Sequence, residues 1–106
     1  MTDYVVIFIT APDEKVASQI AKALVEEKLA GCVNIIKDIR SIYFWQGKVE
    51  DEPEVLLVIK TKRRLFERLK DRVKSLHPYS VPEIIALPIV EGSEDYLKWL
   101  DEVTAQ

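Results

Sequence analysis

The sequence contains one cysteine, one histidine and three glycines, and no apolar run approaches the roughly 20 residues that span a membrane. Each scarcity removes a class of protein. A lone Cys32 forbids an intrachain disulfide and fits a reducing, cytoplasmic setting. The acid Asp3 near the start, with no small-residue cleavage site after the first apolar run, argues against a secretory signal. With only Cys32 and His77 as soft donors, on different elements and with no CxxC or HxxxH spacing, a zinc centre of the usual three or four ligands has no support. Fifteen Lys and Arg against eighteen Asp and Glu give a net charge of −3, a poor match to nucleic acid or anionic lipid. GxGxxG, GxxxxGK[ST] and HExxH are all absent, and no nucleophile, base and oxyanion donor can be named together, so no catalysis is expected.

What remains is a chain of 106 residues with 48% hydrophobic content, read as one domain over 1–106. Val5 to Ile9 is a β-branched and aromatic run that stops at Pro12, a buried-strand pattern. A helix follows, capped by Thr10 or Asp13, striped by Val16, Ala17, Ile20, Ala21 and Leu24, and stopped by Gly31. Cys32 to Trp45 and Val49 to Ile59, joined at Gln46-Gly47-Lys48, read as a long hairpin with a bulge or bend at Pro53. Leu65, Leu69, Val73 and Leu76 define a second helix, with Thr61 as its cap and Pro78 beyond its end. Ile84 to Val90 is a fourth strand, and Ser93 opens a last helix bearing Tyr96, Leu100 and Val103. The order βαββαβ plus a C-terminal helix is the α+β, ferredoxin-like plan: an antiparallel sheet with both crossover helices on one face.

The strands do not alternate as that plan requires of a half-solvated sheet. Val5 to Ile9 is apolar on both sides, and Val55-Leu56-Leu57-Val58-Ile59 is five consecutive aliphatics. One terminal helix cannot cover a whole second face, so self-association is expected.

Single residues have plainer readings beside the functional ones. Cys32 reads first as a buried packing thiol, and His77 before Pro78 as a cap of the second helix rather than a metal ligand. The basic second helix and the acids Glu50, Asp51, Glu52 and Glu54 read as solvated surfaces. Tyr43-Phe44-Trp45 beside Gln46-Gly47 reads as packing or interface, with a ligand-binding role as the alternative.

Gly31-Cys32-Val33-Asn34-Ile35, Ser41-Ile42-Tyr43 with Trp45-Gln46-Gly47-Lys48, Ile59-Lys60-Thr61, His77-Pro78-Tyr79 with Val81-Pro82-Glu83-Ile84, and Tyr96-Leu97-Lys98-Trp99-Leu100 together resemble the CutA divalent-ion tolerance proteins. The resemblance covers nearly the whole chain. It implies a PII-like homotrimer whose hairpins pair between neighbours, non-enzymatic and concerned with copper or another divalent metal ion, with no required cofactor. Copper ligands assigned in some bacterial members fall on Ile9, Leu76 and His77 here, so only His77 is retained. The metal candidates are therefore His77, Cys32 and Glu83; Tyr43, Trp45, Lys60 and Tyr79 are the ligand or interface candidates. The alternative function is a PII-like signalling module that binds a small ligand or partner protein at subunit clefts.

Overall fold

The computed structural model describes residues 2–106. In chain order the elements are β1 (Tyr4–Ala11), α1 (Glu14–Glu26), β2 (Cys32–Trp45), β3 (Lys48–Lys62), a single 3-10 turn (Arg63–Leu65), α2 (Phe66–Leu76), β4 (Ile84–Pro88) and α3 (Glu94–Val103). The strands form one sheet in the order β2-β3-β1-β4, every pairing antiparallel, which is the α+β arrangement expected from the sequence.

One face of the sheet makes the core. Val5, Ile7, Ile9 and Ala11 of β1 alternate inward, opposite Thr61, Ile59, Leu57 and Val55 of β3, and all eight are buried. Ala17, Ile20, Ala21 and Leu24 of α1 and Leu69 and Val73 of α2 close over them. Burying a side chain the size of Ile7 or Leu57 contributes about 1.5–3 kcal/mol, so this layer holds the domain together.

Asp13 rather than Thr10 caps α1, its carboxylate accepting from the Val16 amide at 2.9 Å. The helix does not run to Gly31. It ends at Glu26, and Lys28 takes the left-handed conformation (φ 60°) usually given to glycine, while the amides of Lys28 and Leu29 bond to the carbonyls of Val25 and Leu24. Gly31 is needed for a different reason: a Cβ there would lie 2.4 Å from Leu100 Cδ1 of α3. Thr61 caps nothing; its hydroxyl donates to the Leu29 carbonyl at 2.6 Å inside the core.

The bulge lies at Lys37-Asp38, between the pairs Ile36–Leu56 and Ile39–Glu54, with Asp38 at φ 61°. Pro53 stays in register opposite Arg40, because β3 has lost β1 as a neighbour beyond Val55 and a missing N–H costs nothing at that free edge. The hairpin arms past the bulge pair only with each other and close through Gln46 (φ 48°) and Gly47 (φ 85°), a two-residue turn with both central residues at positive φ. Their projection gives the molecule its 44 × 25 × 23 Å shape. β4 is shorter than expected and stops at Pro88, although the Ile89 amide still bonds to the Tyr4 carbonyl.

The second face is covered at one end only. Ser93 caps α3, whose Leu100 is fully buried beside Gly31, and Lys62 is held beneath the helix by Asp101 (3.1 Å) and the Ala105 carbonyl (3.1 Å). Away from α3 the same face presents Val6, Phe8, Leu56 and Val58 half-buried and Ile36, Ile85 and Leu87 exposed.

Candidate functional site

Strand alternation sorts the hairpin into two sides. Ser41, Tyr43 and Trp45 share a side with Glu54, Glu52, Glu50 and Lys48, their register partners or diagonal neighbours, while Arg40, Ile42 and Phe44 face the other way with Asp51 and Val49. The first side, together with Arg40 and Ile42 from the other, lines one wall of a cleft of about 760 Å3. The opposite wall is the segment after α2, including Tyr79 and Glu83, and Thr10 lies at the base.

His77 fixes that second wall. It is buried, and both ring nitrogens are engaged: Nε2 lies 2.8 Å from the Thr10 carbonyl oxygen, and Nδ1 accepts from the Tyr79 amide at 3.1 Å. A carbonyl can only accept, so Nε2 carries the hydrogen and Nδ1 the lone pair. His77 is the C-cap residue of α2, as its place before Pro78 suggested, but it caps through its amide, which donates to the Val73 carbonyl at 2.8 Å, while the imidazole reaches β1. The Tyr79 ring packs on it at 4.7 Å between centroids, and the Tyr79 hydroxyl donates to Glu54 Oε2 at 3.0 Å.

The cleft is acidic. Glu50, Glu52, Glu54 and Glu83 line it, and Arg40, the one cation among its lining residues, is already held by Asp51 through bonds of 2.8 and 2.5 Å. That guanidinium holds the Asp51 carboxyl below the usual aspartate range. Burial, then the hydrogen bond to Glu54, pushes the Tyr79 phenol far above its ordinary value; burial followed by the charges of Glu52, Glu54 and Glu50 raises Tyr43 as well.

The metal candidates do not come together. Cys32 is half-buried rather than buried, with its Sγ 3.8 Å from Asn34 Oδ1, and Lys60, its cross-strand partner, bonds to the same oxygen. Lys60 pairs with Val6, four residues along β1 from Thr10, where His77 is anchored, so about 13 Å of strand separates the two ends. His77 has no free ring nitrogen, and Glu83 lies in the cleft without either of them. Among the described residues no group of three or more His, Cys, Asp or Glu is arranged to hold a metal ion. Tyr43, Trp45 and Tyr79 do meet in the cleft; Lys60 stands apart with Cys32. The acids Glu50, Glu52 and Glu54, which the sequence alone reads as a solvated surface, line the cleft: closing the hairpin at Gln46-Gly47 pairs Glu50 with Tyr43 and Glu52 with Ser41, on one side with Glu54, Trp45 and Lys48.

The pattern described as CutA1 divalent ion tolerance protein matches residues 5–103. A divalent-cation tolerance protein CutA from Thermus thermophilus is 60% identical over 93% of this chain and 96% of its own length. An Arabidopsis thaliana relative named as a chloroplastic CutA is 47% identical over 94% of this chain, but the chain spans only 55% of it, and it spans about half of the human, mouse and cattle proteins. Among solved structures, the Thermus thermophilus Cut A1 protein superposes with a TM-score of 0.94 at 58% identity, covering 96% of this chain and 99% of that one.

Proposed function

Because the chain belongs to the CutA1 divalent ion tolerance family, we propose that it acts in divalent-cation tolerance as a non-enzymatic cytoplasmic homotrimer, taking up copper or another divalent ion weakly at the hairpin cleft. The observation that carries this placement is the set of four carboxylates, Glu50, Glu52, Glu54 and Glu83, lining a cleft in which Arg40, the one cation among the described lining residues, is paired with Asp51, and Lys48 stands at the hairpin end of the same side. Carboxylates suit hard and borderline divalent ions, and because no three of them converge, binding is weak and leaves much of the hydration shell in place. His77 serves here as the clamp of the Tyr79 wall, and Cys32 takes no part. Trimerisation is supported by the bare apolar stretch of the second sheet face. Calorimetric titration with Cu(II) and Zn(II), together with growth of a gene-disrupted strain in those ions with and without re-supplied protein, tests the reading; a strain as tolerant as its parent would count against it.

A second reading, the signalling module, is favoured by the cleft's size and by its three aromatic residues. About 760 Å3 is within the range of small-molecule sites, and Tyr43, Trp45 and Tyr79 offer more aromatic surface than a hydrated metal ion can use.

A further inference from the structure

At the opposite end of the sheet from the hairpin tip, where β3 runs into α2, two cavities of about 530 and 430 Å3 adjoin and share Tyr4, Arg63 and Arg64. Val5, Phe66, Ala86 and Pro88 make much of the larger one apolar. Val5 pairs with Pro88 and Ile7 with Ala86, so these strand residues point to the helix-bearing side. The bare face that self-association buries lies on the other side of the sheet, with Ile85 and Leu87.

The charges around this lip are unevenly matched. Lys62 is held by Asp101 at 3.1 Å, and Glu67 by Lys70 at 2.7 Å. Arg63 has no side-chain partner among the described residues, and Arg64 has only a 3.5 Å contact with the Ala105 carbonyl oxygen. Asp3 lies beside them, its carbonyl accepting from the Arg63 amide at 2.8 Å, so the lip keeps one positive charge in excess. A planar guanidinium offers paired N–H donors that fit a carboxylate, and a single negative charge balances the excess, where a phosphate dianion would overshoot it. The larger cavity has the volume of a small-molecule site, and its apolar walls suit a hydrocarbon chain. We infer that the groove between β4 and the start of α2 binds a small aliphatic monocarboxylate, its head on Arg63 and Arg64 and its chain along Val5, Phe66 and Ala86.

The test is calorimetric titration of the full-length protein with octanoate, with acetate and octylammonium titrated in parallel. Wild type should bind octanoate saturably, one molecule per chain, acetate at least about tenfold more weakly, and octylammonium not at all. Arg63→Gln/Arg64→Gln alters two exposed side chains and should weaken octanoate binding about tenfold or more. Ala86→Leu, exposed on the edge strand, fills the groove and should weaken octanoate to a similar degree while leaving acetate unchanged. Arg68→Gln/Lys74→Gln removes the same charge from α2 outside both cavities and should change nothing. Equal losses in the two double variants would mean diffuse charge attraction, and full octanoate affinity in Ala86→Leu would mean an anion contact that does not use the groove. Either result, or the absence of saturable octanoate binding, overturns the inference.

Discussion

The Nε2–H of His77 donates to the carbonyl oxygen of Thr10 at 2.8 Å, tying the exit of α2 to the last turnless residues of β1. Through the Tyr79 amide on Nδ1, the same ring positions the Tyr79 hydroxyl against Glu54. His77→Ala removes two part-buried hydrogen bonds and leaves a cavity, and should lower stability by about 2–3 kcal/mol. Thermal unfolding measures this, and an unchanged midpoint would show that the ring is not the clamp.

Tyr79 gives a pH signature. Its phenol is held above the ordinary value by burial and then by Glu54, so its contribution to stability is complete below the unfolded value near 10 and fades as pH rises toward the folded one. Absorbance-monitored alkaline titration should find one of the four tyrosines ionising after the others, and Tyr79→Phe should remove that last step at a cost of about 1 kcal/mol. Ionisation of Tyr79 in step with free tyrosine would contradict the Glu54 bond.

Gly31→Ala tests the docking of α3. The new Cβ would meet Leu100 Cδ1 at 2.4 Å and Val103 Cγ2 at 3.2 Å, and Leu100 is fully buried with little room to turn away. A loss of about 1–3 kcal/mol is expected from this overpacking, with faster amide exchange along α3. Exchange in α3 that matches wild type would mean that the contact is not tight.

The sheet was legible because β-branched runs and helical stripes carry their own periods: Val5 to Ile9 and the Ala17–Leu24 stripe point to the same core from either side. Local signals with two solutions were less so. Lys28, not Gly31, supplies the left-handed residue, because neighbouring amides satisfied the helix end and left Gly31 free for Leu100. The bulge fell on Asp38 rather than near Pro53, since a proline is harmless once its strand has lost its second neighbour. For the site, Tyr43 and Trp45 were visible as a motif, but the cleft depends on a long-range bond from Tyr79 to Glu54 that no local spacing encodes. The pairing of His77 with Thr10, 67 residues apart in sequence, is of the same kind.

The bare face predicts self-association, and the proposed trimer sets the count at three. Ile36, Ile85 and Leu87 are 46%, 49% and 46% exposed beside the half-buried Val6, Phe8, Leu56 and Val58, a patch that a second copy can cover. Light scattering should return three times the chain mass across the accessible concentration range. Trp45, 39% exposed on the projecting hairpin of the single chain, should lose that exposure on assembly, and Trp45→Ala should weaken it. A stable monomer would remove the argument.

The most direct test of the account is calorimetric titration of Cu(II) and Zn(II) into wild type, Cys32→Ala and the triple variant Glu50→Gln/Glu52→Gln/Glu83→Gln. All three substituted acids line the cleft, and Cys32 lies outside it. The account predicts micromolar or weaker binding that Cys32→Ala leaves alone and the triple variant abolishes. Tight binding that survives in the triple variant, or that disappears with Cys32, would place the ion elsewhere and contradict it.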